Sequence, residues 1–380
     1  MRCVRRNLPV LVQRMKLLEI AVGAATPWLM APVLVFTATA GMFAIQFPWL
    51  YAQELTSRAA ETGVFRRENL VAWCIVPFDA RRRGPAERVA MLQRLGFRKY
   101  AYDWRAEHLP TFDEEVRLLK EHGIELTAVW FPTELNQDAR TLLSVLERHG
   151  VKTQLWVTGG GGPTTTPEER QQRVQAEARR IRPIAEAAAR LGCRVALYNH
   201  GGWFGEPENQ LAILEELRLP NVGLVYNLHH GHDHLERFSQ LLALMRPHLL
   251  ALNLNGMFPR GDQIGQKIVP VGAGSEDLAL LKAIRDSGYT GPMGILGHTN
   301  DDAEERLRDN LEGLDWLLRQ LAGRPAEPLP KFRTYSPPPA PLLPPGRMGL
   351  VPGKFGQPLE ARPRGVSLPP HPALRDPLRS

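Results

Sequence analysis

The chain has 380 residues, which is long enough for one large domain or for two or three small ones. Its net charge of +7 comes from the two ends, because residues 1–20 carry +4 and residues 322–380 carry +6, which leaves about −3 for residues 21–321. A nucleic-acid surface needs a basic patch on the folded part, so we expect no nucleic-acid partner. The three cysteines have no metal-type spacing, and they predict no disulfide framework.

The N-terminal segment combines early basic residues with a long uncharged run. Arg2, Arg5 and Arg6 precede a stretch at residues 20–53 that contains no charged residue. About 20 apolar residues can cross a bilayer core, and the small residues at 38–40 resemble a signal-peptidase site. We therefore expect residues 1–54 to be a signal peptide or a signal anchor. The rest of the chain would then be exported, either periplasmic or membrane-anchored outside the cytoplasm. A buried helix of the main domain is the alternative.

Helices that end in glycine mark the middle of the chain. Gly96, Gly123 and Gly150 each follow a helical pattern and precede a short apolar strand, at intervals of 27 residues. Glycine after a helix end adopts the left-handed conformation without the strain that other residues incur. This interval fits one compact strand–helix unit, so the pattern predicts repeated β/α units.

Eight such units follow one another. Near-continuous apolar strands that alternate with helices are typical of a parallel sheet covered on both faces. The predicted strands are Leu70–Val76, Lys99–Tyr102, Glu125–Phe131, Thr153–Val157, Arg194–Asn199, Val222–Leu228, Leu249–Leu254 and Pro292–Leu296. The fold predicted for residues 55–321 is therefore an α/β (β/α)8 TIM barrel, with an open doubly wound sheet as the alternative. Sixteen of the 33 prolines follow Gly323, so residues 322–380 are expected to be a Pro-rich disordered tail.

Aromatic and polar residues gather at the C-terminal ends of the predicted strands, where barrels of this kind place their chemistry. Indole faces pack on the apolar face of a sugar, and amides or imidazoles hydrogen-bond its hydroxyls. We therefore expect a pocket for a small-molecule sugar. The candidate substrate-binding residues are Asp103, Trp130, Trp156, Tyr198, Asn199, Trp203, Asn227, Asn253 and Asn255. The alternative for Trp130 and Trp156 is that they only fill the barrel interior.

Four phrases at the later strands carry a resemblance to a known family. They are VALYNHGGW at strand five, GLVYNLHHGH at strand six, LNLNG with VPVGAGSEDL at and after strand seven, and GYTGPMGILGH at strand eight. With these, the chain from about Leu70 to Leu321 resembles the xylose-isomerase-like TIM barrels of the sugar phosphate isomerase/epimerase superfamily. The same fold also serves endonuclease IV. The resemblance implies a sugar isomerase or epimerase.

The resemblance also implies a metal site, but this chain departs from it. Family epimerases bind a divalent metal through Glu, Asp, His and Glu on strands five to eight, and the two glutamates move the proton. Those positions fall here on Tyr198, Asn227, Asn253 and a place at or beside Gly297, while a histidine after the strand-six acid is kept as His230. Hard divalent cations prefer anionic oxygen, so the usual carboxylates for metal and for acid/base chemistry are missing.

Histidines at or just beyond the strand ends are the remaining candidates for proton transfer. His200, His230 and His298 are the predicted catalytic residues, because His200 and His298 fall near the two missing glutamates and imidazole titrates near neutral pH. His229, His230 and His232 are the candidate ligands of a possible divalent metal.

Three functions follow from these residues. The favoured one is an exported isomerase, epimerase or related lyase that acts on a sugar or sugar derivative with histidine as acid/base. The second is a barrel that has lost catalysis and binds a carbohydrate. The third is an endonuclease IV-type nuclease, which needs a cluster of carboxylates and histidines and a positive groove. The nearest carboxylates, Asp79, Asp103 and Glu206, are expected on solvated loops.

Overall fold

The computed structural model describes residues 63–325 and 327–337. Eight parallel strands, each hydrogen-bonded to the next, form a closed barrel. The strands are β1 (Leu70–Trp73), β2 (Lys99–Tyr102), β3 (Glu125–Phe131), β4 (Gln154–Val157), β5 (Arg194–Tyr198), β6 (Val222–Asn227), β7 (Leu249–Leu254) and β8 (Met293–Leu296). The predicted (β/α)8 TIM barrel is confirmed. An open sheet is excluded because β8 pairs with β1, with Leu70 opposite Met293 and Trp73 opposite Leu296.

Helices alternate with the strands around the barrel. They are α1 (Pro85–Arg94), α2 (Phe112–Glu121), α3 (Gln137–His149), α4 (Pro167–Arg190), α5 (Gly202–Gly205), α6 (Pro207–Leu217), α7 (Phe238–Met245), α8 (Asp277–Asp286) and α9 (Ala303–Leu321). Short 3-10 turns join several of these elements. Two of the turns, at Leu228–His230 and His232–Arg237, shape the chain directly after β6.

The helix-ending glycines have the backbone conformation that their spacing predicted. Gly96, Gly123 and Gly150 have φ angles of 75°, 65° and 63°, in the left-handed region. After Gly123 the N–H of Ile124 donates to the carbonyl oxygen of Leu119 at 2.9 Å, so the chain turns at once into β3. Since only glycine adopts this φ without strain, the helix ends are encoded locally.

The apolar core has two parts. The larger part lies between the helices and the outward faces of the strands, and the smaller part fills the barrel interior. Small interior residues such as Ala128 and Ala196 leave room there for Trp156, which is fully buried. The ring of Trp156 meets that of Trp73 edge-on at 4.7 Å, so indoles plug the barrel beneath the strand C-termini.

A buried ion pair joins α1 to α2. The Nε of Arg88 lies 2.9 Å from Oε1 of Glu115, and both side chains are almost fully buried. Another guanidinium N–H of Arg88 donates to the carbonyl oxygen of Arg83 at 2.8 Å. Each charge therefore has a partner, which a charge buried at this depth requires.

Residues 327–337 pack along α9. The buried carboxylate of Asp309 accepts the backbone N–H of Arg333 at 2.9 Å and that of Thr334 at 2.7 Å. The hydroxyl of Tyr335 donates to Oε1 of Gln266 at 2.8 Å, in the loop between β7 and α8. These contacts extend past the end of α9, at which the predicted barrel domain ended.

Within the described ranges, no helix is long and apolar enough to cross a membrane. The segment expected to be a signal peptide or signal anchor, residues 1–54, lies outside the described residues, and so does most of the segment expected to be a Pro-rich disordered tail, residues 322–380. Both stay predictions.

Candidate active site

A cavity of about 60 Å³ lies at the C-terminal ends of the strands. Four of its imidazoles also line a wider cleft of about 490 Å³. The cavity is lined by Trp73, Cys74, Phe78, Asp103, Arg105, Trp130, Tyr198, His200, His229, His230 and His298. A larger groove of about 850 Å³ lies beside Pro220 and Pro247 near the N-terminal ends of β5 and β6, and barrel enzymes do not place their chemistry there.

One side of the cavity is formed by Trp73, Trp130 and Tyr198, which we call the aromatic wall. The rings of Trp73 and Trp130 are stacked with centroids 6.1 Å apart, and the ring of Trp130 meets that of Tyr198 edge-on at 5.0 Å. The indole N–H of Trp104 donates to the carbonyl oxygen of Trp130 at 2.7 Å. Trp130 is half-buried, so part of its indole is available to pack on an apolar ligand face.

His200, His229, His230 and His298 form a second side, the imidazole wall. The ring centroids of His200 and His230 are 4.6 Å apart, and those of His229 and His230 are 3.7 Å apart. Burial lowers the pKa of His230 to about 2 and that of His298 to about 4. Burial also lowers the pKa of His200, and it lowers the pKa of His229 further still. The four rings are therefore neutral at pH 7, and each has one N–H donor and one acceptor nitrogen.

Tyr198, Asn227 and His229 form a chain of hydrogen bonds between the two walls. The Nδ2 of Asn227 donates to the hydroxyl oxygen of Tyr198, and its Oδ1 accepts Nδ1–H of His229 at 2.6 Å. The proton of His229 is thus on Nδ1, which leaves Nε2 as its acceptor nitrogen. Burial raises the pKa of Tyr198 well above its ordinary value, so its phenol is neutral and retains a proton to donate.

Asp103 follows β2 and lines the cavity beside Cys74 and Arg105. It is 1% exposed. Its Oδ1 accepts the backbone N–H of Val76 at 3.1 Å, whereas its Oδ2 has no hydrogen-bond partner among the described residues. Burial raises the pKa of Asp103 to about 6, against the opposing effects of the Val76 N–H and of Arg105. This carboxyl can therefore change its protonation state near neutral pH.

β1 ends three residues earlier than the sequence predicted. Its last residue is Trp73, and the next residue, Cys74, has a φ of 57°. This left-handed conformation is uncommon for a residue with a side chain, and it turns the backbone out of the strand. The predicted end at Val76 was therefore wrong. The turn brings Cys74 into the cavity lining and the N–H of Val76 to Asp103.

Two of the amides predicted to bind substrate hold backbone instead of lining the cavity. The side chain of Asn199 accepts the backbone N–H of Asn227 at 2.7 Å and donates to its carbonyl oxygen at 3.2 Å. The Nδ2 of Asn255 donates to the carbonyl oxygens of Gly256 and Lys267 at 2.7 and 2.9 Å. They position the end of β6 and the loop after β7.

Four other candidates also lie outside the cavity lining, and one of them is Asn227, whose amide links Tyr198 to His229. Trp156 fills the barrel interior, which is the alternative that the sequence left open. The indole N–H of Trp203 donates to Oγ1 of Thr164 at 3.2 Å, in the loop before α4. Asn253 is fully buried, and neither end of its amide has a partner within the described residues. Direct contact of these residues with a substrate stays a prediction.

The other two carboxylates near the strand ends are held by arginines. Oδ1 of Asp79 lies 2.7 Å from a guanidinium nitrogen of Arg83, and a carboxylate oxygen of Glu206 lies 3.1 Å from Arg237. The prediction of solvated carboxylates was wrong for Asp79 and Asp103, which are 4% and 1% exposed. Asp79 is enclosed by its ion pair, and Asp103 by the turn after β1.

The family model described as a xylose isomerase-like TIM barrel matches residues 89–320, which include seven of the eight strands. The chain belongs to this family. The comparison with curated proteins found no significant match.

Solved structures show the same fold as this xylose isomerase-like barrel. One is the probable 3-DHS dehydratase AsbF, involved in petrobactin synthesis, from Bacillus anthracis. The two chains are 17% identical, and they superpose with a TM-score of 0.51 over 65% of this chain and 98% of that one. Another is the IolI protein "with a binding zinc atom". It is 15% identical to this chain, and the two superpose with a TM-score of 0.53 over 67% of this chain and 99% of that one. At these identities the similarity establishes the fold alone.

The side chains at the metal positions of the xylose isomerase-like family do not fit a divalent cation in this chain. Both ends of the Asn227 amide are used by Tyr198 and His229, and Gly297 has no donor side chain. Asn253 offers a neutral amide where an imidazole is expected, and hard cations prefer anionic oxygen. In the part of the chain that the structure describes, no three His, Cys, Asp or Glu side chains are placed to hold a metal ion.

The predicted metal ligands His229, His230 and His232 do not converge on one point. Nδ1 of His229 is bonded to Asn227. The two ring nitrogens of His232 lie 3.3 Å and 3.0 Å from the backbone carbonyl oxygens of Phe258 and Lys267. This arrangement gives no support to a metal held by the three.

Four residues that line the cavity were missed by reasoning from the sequence. Trp73, Cys74 and Phe78 lie in the apolar run LVAWCIVPF, in which no glycine or polar residue marks the turn that ends β1. Arg105 comes three residues after the end of β2, and extending each strand end by three residues would have found it.

Proposed function

We propose that this xylose isomerase-like barrel is an enzyme that isomerises or epimerises a sugar or a sugar derivative. The observation that carries the proposal is one cavity, at the C-terminal ends of the strands, in which the aromatic wall meets the imidazole wall. An indole face packs on the apolar face of a sugar, and neutral imidazoles hydrogen-bond its hydroxyls.

The same side chains suit the charge that develops during enolisation of a sugar. Moving a proton from the carbon beside a carbonyl leaves negative charge on the carbonyl oxygen, which preorganised hydrogen-bond donors stabilise. The neutral phenol of Tyr198 supplies one such donor, and a neutral imidazole N–H supplies another.

The three predicted catalytic histidines have different roles in this proposal. His230 and His298 are weak bases because their pKa values lie at about 2 and about 4, so they act as hydrogen-bonding groups towards the sugar. His200 is the exposed member of the imidazole wall, and it exchanges a proton between substrate and solvent.

The test is hydrogen exchange in heavy water. The full-length protein would be incubated with D-xylose, D-glucose, D-fructose and 3-keto-D-glucose, and proton NMR would follow loss of the signal beside the carbonyl. We expect exchange with at least one sugar, and rates lowered about 100-fold by His200→Ala and by His298→Ala. The matched control is His122→Ala, since His122 is an exposed histidine at the end of α2.

A second candidate function is a carbohydrate-binding barrel without catalysis. The observation that favours it is the neutral residues Tyr198 and Asn227 where the family carries carboxylates. Thermal unfolding separates the two candidates. A sugar that raises the melting temperature without exchange, and to the same degree in His200→Ala and His298→Ala, would support the binding protein and reject the enzyme.

We also propose that the protein is exported, either to the periplasm or as a membrane-anchored protein with its barrel outside the cytoplasm. The basic residues followed by the uncharged run at residues 20–53 support this proposal. Fractionation of cells that produce the full chain, with sequencing of the mature N-terminus, tests it. A full-length protein confined to the cytosol would overturn it.

A further inference from the structure

Asp103 is a buried carboxyl with incomplete hydrogen bonding. One oxygen accepts the N–H of Val76, and the other is buried without a partner among the described residues, in the lining of the cavity. A carboxylate oxygen in such a place costs free energy unless a donor completes its hydrogen bonding. A ligand in the cavity would bring that donor, or a proton, to the free oxygen.

The charged groups around Asp103 do not neutralise it. Arg105 uses a guanidinium N–H on the backbone carbonyls of Asp103 and Trp104, at 2.9 and 2.8 Å. Arg88, on α1, is paired with Glu115. Within the described ranges, no lysine or arginine forms an ion pair with the Asp103 carboxylate, so its free oxygen keeps its basicity.

The other titratable groups near Asp103 stay protonated at neutral pH. Burial raises the pKa of the thiol of Cys74, and Asp103 raises it further. Burial also raises the pKa of the phenols of Tyr100 and Tyr102. Asp103 is therefore the group on this side of the cavity that gains or loses a proton near pH 6.

The backbone beside Asp103 supports a functional role. Cys74 adopts its left-handed φ of 57° in the turn that presents the N–H of Val76 to the carboxyl. Strained residues of this kind concentrate at functional sites, where the surrounding structure holds them in place. The turn therefore fixes the position of the Asp103 carboxyl in the cavity lining and supplies a hydrogen bond to only one of its two oxygens.

We infer that Asp103 is a catalytic residue that removes and returns the proton on the substrate carbon beside the carbonyl. The inference rests on the proposed function. Within the family the proton is moved by glutamates on strands five and eight, and the corresponding places are here a tyrosine and a glycine, Tyr198 and Gly297. The carboxyl that does this chemistry then lies directly after β2.

The step balances as an enolisation. The free oxygen of Asp103 takes the proton as the C–H bond breaks, and that electron pair forms the C=C bond of an enediolate. The π electrons of the carbonyl move onto its oxygen, which accepts hydrogen bonds from the hydroxyl of Tyr198 and from an imidazole N–H. For the isomer, Asp103 returns the proton to the neighbouring carbon, while the acceptor nitrogen of neutral His200 takes the proton of the adjacent hydroxyl and its N–H gives one to the former carbonyl oxygen. For the epimer, His200 takes a proton from solvent and delivers it to the opposite face of the carbon, and Asp103 releases its proton to solvent.

The experiment compares Asp103→Asn with the wild type, using the full-length protein and the heavy-water assay with the same four sugars. We expect the exchange rate to fall by about 100-fold or more with little change in KM, because the amide keeps the shape but cannot take the proton. Asp103→Glu should recover part of the rate. Asp315→Asn is the matched control, since Asp315 lies on α9 beside Arg67. The wild-type rate should fall as the pH is lowered through about 6, where Asp103 becomes protonated.

The outcomes separate this inference from the proposed function. Exchange by Asp103→Asn at the wild-type rate would overturn the inference alone. A wild-type protein that exchanges none of the four sugars would overturn the proposed function and the inference with it. The melting temperature at pH 8 distinguishes a structural role, because a free catalytic carboxylate is destabilising. The variant should melt at or above the wild-type temperature, and a lower melting temperature would assign Asp103 to the fold and reject the inference.

Discussion

The residue that follows β2 and the first residue of α8 are each a buried aspartate without a basic partner in the described chain. At α8, Oδ1 of Asp277 accepts the N–H of Met257 at 2.6 Å, and its Oδ2 accepts those of Gly272 and Gly274 at 2.7 and 3.0 Å. At β2, Asp103 accepts one N–H and leaves the other oxygen free. Burial raises the pKa of Asp277 to about 7 and that of Asp103 to about 6.

The difference between the two lies in their hydrogen bonds, because burial and pKa are alike. Both carboxylate oxygens of Asp277 accept backbone N–H groups, and these hydrogen bonds join the loop after β7 to α8. Asp103 has one oxygen that can accept a hydrogen bond or a proton from a ligand in the cavity. A buried polar atom without a partner is uncommon in folded proteins, so it marks a place where stability has been given up. Raised pKa values alone would not have distinguished the site from the structural tie.

The largest change in the free energy of unfolding is expected at Glu115. It is a third buried carboxylate, and unlike Asp103 and Asp277 it forms an ion pair, with Arg88. Glu115→Gln leaves Arg88 buried and unpaired, and we expect the free energy of unfolding to fall by about 3–5 kcal/mol. Urea denaturation measures it. Glu125→Gln is the control, because the Lys99–Glu125 pair is exposed and is worth about 1 kcal/mol or less. If Glu115→Gln lowered the free energy of unfolding no more than Glu125→Gln does, burial of the ion pair would not determine how much its loss destabilises the fold.

At Asp277 the substitution Asp277→Asn should lower the free energy of unfolding by about 2–3 kcal/mol. The amide offers one oxygen where the carboxyl group offers two, so backbone N–H groups that converge on Asp277 lose their acceptor. Urea denaturation at pH 5 checks this value, because Asp277 is protonated below its pKa of about 7 and no cost of burying its charge then offsets the lost hydrogen bonds. An unchanged midpoint would mean that the three hydrogen bonds contribute nothing to stability, and the contrast with Asp103 would be lost.

The same substitution at Asp103 should stabilise the fold, whereas at Asp277 it should destabilise it. The folded-state pKa of about 6 lies above the unfolded value, so this carboxyl stabilises the fold when protonated, and the contribution is lost as the pH rises through 6. Asp103→Asn should therefore raise the free energy of unfolding by about 2 kcal/mol at pH 8. At pH 4 the two proteins should match. Urea titrations at both values test the sign, and a destabilised variant at pH 8 would contradict it.

The barrel could be predicted from the sequence because its signals are local. Most helix ends carry a glycine, as at Gly123 and Gly150, and the strands are near-continuous apolar runs. The count of eight units then determines the closed barrel. The family resemblance and the departures at Tyr198 and Asn227 could likewise be read from short phrases.

The cavity could not be predicted to the same degree, because its lining depends on contacts that are distant in the chain. The hydrogen bond between Val76 and Asp103 joins residues 27 apart, and it requires a turn that no residue type announces. Trp130 and Trp156 lie opposite each other in the register of β3 and β4, yet only Trp130 lines the cavity. Strands in a barrel are tilted and staggered, so sequence position along a strand does not give the depth of a side chain.

The segment that packs on α9 determines how short a working version of this protein can be. Cutting the chain at the end of α9 would remove the N–H donors that Arg333 and Thr334 give to the buried Asp309. It would also remove the hydroxyl of Tyr335 from Gln266, whose neighbour Lys267 lines the wider cleft. A minimal version that keeps the shape of the cleft therefore has to run at least through Tyr335.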